Sequence, residues 1–321
     1  MIQRKLGILL FLPFLLLACK DEEDPNADYN ERLQEQQQEI ESYLTDNNID
    51  ATLTNGYYLE TITENPSGKV PAQNDAVVVY YELQTLEGEL VSRVSRSAGD
   101  EPDVVPFIQG RVLLPLALYE VIGDMRAGEE VRVFLPFDRA YVSYELPSVF
   151  PAFSPMILQI EVDDVLSPAA FKLREDEKIK EYLAENNLQP ADSLRSGVYY
   201  HETQAGEAPE VESTSTVRVR YAGSLLDGTK FDDNTGPNDD PLRVIMSQDG
   251  VIPGFKTALL AMSQLEEGTT IIPSDQGYGP NYYAIPFTVM SELIAQGLVP
   301  GQAALGAYAS LRFDLEVEAV N

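Results

Sequence analysis

The chain repeats itself, and the repeat constrains what it can fold into. Ile40–Asn48 (IESYLTDNN) matches Ile179–Asn187 (IKEYLAENN), and Gly56-Tyr57-Tyr58 matches Gly197-Val198-Tyr199-Tyr200. Val79-Tyr80-Tyr81 matches Val219-Arg220-Tyr221, and Leu86-Glu87-Gly88 matches Leu226-Asp227-Gly228. Met125, Pro136 and Tyr141 recur with the same internal spacing as Met262, Pro273 and Tyr278. The offset stays near ~140 residues, far longer than a solenoid unit, so the chain reads as two copies of one domain-sized module. The join falls at Leu166-Ser167-Pro168.

Each copy opens with a short helix. Leu33, Ile40, Tyr43 and Leu44 share one helical stripe, as do Ile179, Tyr182 and Leu183. The pairs Asn47-Asn48 and Asn186-Asn187 read as stops, because asparagine tolerates the left-handed conformation that ends a helix. Strand patterns follow. Val77–Tyr81 and Val217–Tyr221 are β-rich, while Val131–Leu135 and Leu311–Val317 alternate with period two. Phe255–Met262 has helical spacing. The predicted class is α+β, with each module an antiparallel sheet wrapped on one helix.

Composition excludes several chemistries. The formal charge is −30, from 52 Asp+Glu against 22 Lys+Arg, which argues against nucleic acid as a ligand. One cysteine and one histidine cannot build a Cys/His zinc site, and no phosphate-binding glycine motif occurs. No metal or cofactor is expected. His201, in Tyr199-Tyr200-His201-Glu202, reads as a surface strand residue.

The first residues read as an address. Arg4 and Lys5 precede the apolar run Leu6–Leu17, too short for an ordinary membrane span. The run ends in Leu16-Leu17-Ala18-Cys19, which resembles a bacterial lipobox. The resemblance implies a signal peptide over residues 1–18, a lipid on Cys19, and contact with the membrane through that anchor alone. Lys20-Asp21-Glu22-Glu23-Asp24 resembles a surface-export tag of Gram-negative lipoproteins, and residues 19–37 read as an acidic tether. The expected location is the outer membrane, on the cell surface or otherwise on the periplasmic face.

The second copy carries a more specific likeness. Val219–Asp232 (VRYAGSLLDGTKFD) resembles the first signature of FKBP-type peptidyl-prolyl isomerases, and Val251–Phe255 (VIPGF) resembles the second. Met262, Pro273, Tyr278-Gly279 and Leu311–Asp314 follow at that family's spacing. The likeness extends to tandem-domain lipoproteins associated with gliding motility. It implies an isomerase domain over residues 168–321 acting on proline-containing polypeptides, with Tyr221, Phe231, Val251, Phe255 and Phe313 lining an apolar pocket. By the same resemblance, the Ile252 N–H and the Tyr278 hydroxyl hold peptide carbonyls, and Asp232 stands at the rim. Ile285, with Leu305 as the alternative, is expected to close the flap. Leu242 and Val244 stand where the family often has phenylalanine. The long stretch Gly279–Ser310 is expected to add a small helix near Thr288–Ile294 and to narrow or block the pocket.

The first copy, residues 38–167, reads as a degenerate FKBP-like domain. It keeps Tyr81 and Tyr141, but Val91-Ser92 replaces Phe231-Asp232, and Leu113–Ala117 replaces Val251–Phe255. Two functions follow from the resemblance: an isomerase assisting envelope or surface proteins, or a non-catalytic peptide-binding or assembly module.

Overall fold

The computed structural model describes residues 27–110, 113–146, 149–188 and 192–321. The signal peptide, Cys19 and the start of the acidic tether lie outside the described residues. From Ala27 onward the residues assigned to the tether are helical: α1 spans Ala27–Asp46. Its inward residues Ile40 and Leu44 pack on Tyr58, Phe134 and Ile157. Asn48 adopts φ 52°, and the Ile49 N–H donates to the Leu44 carbonyl at 2.9 Å, so the asparagine ends the helix as its residue type allows.

The first sheet is built from β1 (Thr52–Thr54), β2 (Tyr57–Thr63), β3 (Ala76–Thr85), β4 (Leu90–Val94) and β5 (Asp103–Pro106), then, beyond β6 (Leu113–Leu114) and α2 (Leu118–Asp124), β7 (Glu130–Leu135) and β8 (Met156–Leu166). Its order is β1-β2-β7-β8-β3-β4, with β5 also pairing β3. Adjacent residues serve opposite faces, as the pleat requires. Tyr57 joins the core beside Leu118, Val121 and Ile122 of α2, while Tyr58 turns to α1.

The second half has the same plan. α3 (Pro168–Glu185) is capped by Ser167, whose side chain accepts from the Ala170 N–H, and has proline in its first turn. It stops at Asn187, φ 57°, with Leu188 N–H donating to Leu183. Then come β9 (Asp192–Ser193), β10 (Tyr199–Gln204), β11 (Glu207–Glu210), β12 (Thr216–Leu225), β13 (Lys230–Asp233), β14 (Leu242–Ile245), α4 (Pro253–Leu259), β15 (Ser263–Gln264) and β16 (Glu267–Ile272). β17 (Tyr283–Ala284), α5 (Val289–Ala295) and β18 (Leu311–Val320) complete the chain. The sheet order is β13-β12-β18-β16-β10-β9, with β14 pairing β12. This is the order of the first sheet, strand for strand, read from the other edge. Even the irregularities recur: bulges at Val78/Val79 and Leu83/Gln84 in β3 reappear at Arg218/Val219 and Gly223/Ser224 in β12. His201 lies half-buried in β10, opposite Thr269.

The segment between β16 and β18 departs from the symmetric plan. Its middle part does not fold over its own sheet. β17 pairs in parallel with β6 of the first half, Tyr283 against Leu113 and Ala284 against Leu114. Tyr283, Ile285, Val289, Met290, Leu293 and Val299 are buried within the first half's core.

Glu175 of α3 ties the second half's helix to its sheet. Its buried carboxylate accepts from the Ser274 N–H at 2.8 Å, the Ser274 hydroxyl at 3.1 Å and the Ser310 hydroxyl at 2.7 Å. Burial raises its pKa, partly offset by these donors. The folded chain therefore holds this proton at pH values where the unfolded chain has released it. This contribution to stability is complete below the ordinary carboxylate value and is lost as pH rises through Glu175's raised value. Thermal midpoints across that window should fall with pH in the native chain more steeply than in Glu175→Gln. Equal slopes would show that Glu175 is already ionised there.

Candidate active site

Phe313, near the start of β18 and 5% exposed, organises the second half's aromatic cluster. The Phe255 ring lies 5.2 Å from it, Phe231 5.6 Å and Tyr221 6.0 Å, all edge-on. Tyr221 and Phe255 also meet edge-to-face at 5.8 Å. This arrangement favours ring quadrupoles over face stacking. Gly223 makes it possible. A Cβ there would come within 2.8 Å of Phe313 and 2.9 Å of Phe231, so any side chain would force the rings apart.

Phe255 reaches the cluster because α4 starts at Pro253, whose fixed φ suits the first helical turn. Gly254 lets the helix approach the sheet: a Cβ there would fall 2.3 Å from Ile272. Val251 and Ile252, just before α4, are half-buried against the same core, as are Leu305 and Ala309. Tyr278, beyond the end of β16, is 39% exposed.

The rim carries the charge. Tyr221 donates from its hydroxyl to Asp232 Oδ2 at 2.7 Å. Burial first, then the hydrogen bond and charge of Asp232, hold the Tyr221 phenol well above its ordinary pKa. Tyr278 is raised as well, by burial and then by the Asp232 charge. Both phenols therefore remain neutral donors at neutral pH. Asn234 fixes the Tyr221 backbone, its side-chain oxygen accepting from the Tyr221 N–H at 2.7 Å while its amide donates to Val219. The sequence reading did not single out Asn234; its place two residues after Asp232 was the signal.

The structure thus brings Tyr221, Phe231, Asp232, Val251, Ile252, Phe255 and Phe313 around one core, while Tyr278 is partly exposed and feels the Asp232 charge. Ile285 is not among them. It is fully buried in the first half's core, so it cannot close a flap over the second. Its apolar side chain has a deeper apolar site to fill across the chain, and Leu305 packs on the second half's core instead.

The first half keeps the same frame with altered chemistry. The Tyr81 and Ser92 hydroxyls lie 3.2 Å apart, where Tyr221 and Asp232 meet in the second half. Burial pushes the Tyr81 phenol up to about 12. Tyr141, matching Tyr278, is 4% exposed and donates to the Ile285 carbonyl.

The sequence model of the family described as FKBP-type peptidyl-prolyl cis-trans isomerase matches residues 208–318. Residues 208–318 belong to the FKBP-type isomerase family. Among curated relatives, the outer membrane protein MIP of Legionella longbeachae is 34% identical over 126 residues, 38% of this chain and 53% of that protein. The FKBP-type isomerase FkpA of Aeromonas hydrophila is 29% identical over 144 residues, 44% of this chain and 46% of the relative. The chain spans about half the length of the curated relatives it matches. Among solved structures, FkpA from Escherichia coli is 26% identical with TM-score 0.35, covering 47% of this chain and 61% of that one. The three FKBP domains of wheat FKBP73 are 16% identical with TM-score 0.34, covering 85% of this chain and 99% of that one. The FKBP family match covers β11 through most of β18, and so takes in every ring of the aromatic cluster. Among the described residues, no helix is long and apolar enough to cross a membrane, and no group of three or more His, Cys, Asp or Glu side chains could hold a metal ion.

Proposed function

We propose that the second half catalyses cis–trans isomerisation of X–Pro bonds in polypeptides. The observation that carries this reading is the aromatic cluster around Phe313, at whose edge the half-buried Tyr221 donates to Asp232. Rotation about an X–Pro bond is slow because amide resonance must be broken. The twisted amide is less polar than the planar one, so an apolar surface that sheds water favours it without a nucleophile. Tyr278 donates to a substrate carbonyl, Ile252 offers its N–H to a second, and Asp232 orients Tyr221 at the rim.

In this reading residues 168–321 form the isomerase domain and residues 38–167 a degenerate FKBP-like copy that does not turn over. The clients are envelope or surface proteins, reached by a chain anchored through a lipid on Cys19. Outer membrane protein MIP is named for that membrane, which supports the placement. The Asp-to-Ser change at Ser92 and the burial of Tyr141 support a non-catalytic first copy.

A protease-coupled proline-peptide assay on the full chain tests the reading. Tyr278→Phe removes one neutral donor and should lower kcat/KM about 5-fold. Asp232→Ala strands the Tyr221 hydroxyl and should lower it about 10-fold. Circular dichroism should stay native for both. Wild-type turnover equal to the uncatalysed rate would sink the enzyme and leave a peptide-binding module. Normal rates in both variants would show the site to be elsewhere.

A further inference from the structure

We infer that the first half's pocket is a second prolyl-peptide binding site, whose resident ligand is the chain's own Tyr283–Pro286 segment. This deepens the reading of the first half as a copy of the prolyl pocket, and does not require turnover by the second. The contacts are those of a bound peptide. The Tyr141 hydroxyl, counterpart of Tyr278, donates to the Ile285 carbonyl, which is the carbonyl preceding Pro286. The Ile285 N–H donates to the Leu114 carbonyl at 3.0 Å, and Leu114 is the counterpart of Ile252. The segment adds to β6 as a parallel strand, the main-chain mode by which extended peptides dock on an exposed strand. Side chains supply selectivity. The Tyr283 hydroxyl donates to Asp103 Oδ2 at 2.6 Å, while Ile285 and Pro286 are buried. Burial raises Asp103, and its bond to Tyr283 works against that rise.

Asp103 separates this site from the second half's. By strand register Asp103 stands opposite Val79, and its counterpart Leu242 stands opposite Val219. An aromatic hydroxyl two residues before the X of X–Pro therefore meets Asp103 in the first pocket, at a position where the second half has Leu242. The ligand class is an extended peptide of the form Tyr-x-Ile-Pro. With Ser92 in place of the rim carboxylate, the pocket holds such a peptide without the group that serves Tyr221 in the other half.

Two measurements test this, neither reading turnover. In the first, residues 281–305 of the full chain are replaced by a short Gly/Ser linker, and a fluorescent peptide of residues 280–296 is titrated in. Saturable one-to-one binding is expected. Tyr141→Phe or Asp103→Asn in that background should weaken it about 5-fold each, the effect of one lost hydrogen bond. The unaltered chain should bind at least ~10-fold more weakly, because its own segment competes at high effective concentration. Equal binding to both chains, or indifference to Tyr141→Phe, overturns the inference. The second uses the unaltered chain and covers a failure of the excised one to fold. Amide exchange at Ile285 should be slow in the native chain and at least ~5-fold faster in Tyr141→Phe. Fast exchange at Ile285 in the native chain overturns it too.

Discussion

Phe313→Ala should lower isomerase kcat/KM by at least ~100-fold, about 2.7 kcal/mol of transition-state stabilisation, and destabilise the chain by about 3–5 kcal/mol. Phe313 contributes to both quantities because it meets three other rings edge-on while lying inside the sheet's core. Deleting the ring leaves a cavity bounded by Phe231, Phe255 and Tyr221. Those rings are held by β13, α4 and β12, so they cannot all move inward to fill it. Water would enter the surface on which the twisted amide has to be favoured over the planar one. Urea unfolding and the coupled peptide assay on the full chain measure the two effects. Phe313→Leu separates them: it restores much of the volume, so most of the stability should return while the edge-on ring contacts and much of the rate do not. Turnover of Phe313→Ala within 3-fold of the native chain, in a folded sample, would mean that the cluster is core alone.

The sequence made legible whatever depends on spacing within one copy. The paired asparagines at residues 48 and 187 announce helix ends because few other residues accept that φ. The β-rich runs became the central strands β3 and β12, and the recurrence of Val79-Tyr80-Tyr81 as Val219-Arg220-Tyr221 put both in register with their own sheets. The small helix expected at Thr288–Ile294 is present as α5, one residue later. The destination of that helix could not be read. Its apolar residues satisfy any concave apolar surface equally well, and periodicity does not say which. The family resemblance places Ile285 or Leu305 over the second half's pocket, and it carries no information about a surface in the other copy. The first half's pocket binds the segment through the Tyr141 hydroxyl, an acidic acceptor at Asp103, and strand pairing with β6. Leu113–Ala117 looked like decay when compared with Val251–Phe255. In the structure Leu114 and Ala117 are buried core residues packed with the incoming segment.

Ile285→Glu should cost at least ~4 kcal/mol, because an ionised carboxylate would replace a side chain that is 0% exposed. A glutamate there has few ways to escape. The Ile285 backbone is pinned on both sides, its N–H to Leu114 and its carbonyl to Tyr141, so the side chain cannot swing to solvent without breaking the strand pairing. The cheaper response is for the whole excursion to leave the first half, taking Tyr283, Val289, Met290 and Leu293 into water. Either path loosens β3 and β8, which share that core through Tyr81, Leu83, Leu158 and Ile160. Amide exchange should therefore rise in the first sheet far more than in β12 and β18, whose core is built from other residues. Ile285→Val, which removes one methylene and no backbone contact, should cost about 1 kcal/mol and leave the exchange pattern in place. A loss below ~1 kcal/mol for the glutamate, or faster exchange confined to the second sheet, would show that the excursion does not belong to the first half's core. The difference between the two substitutions isolates charge from volume, which is the distinction that decides whether this segment is held as a packed ligand or merely rests on the surface.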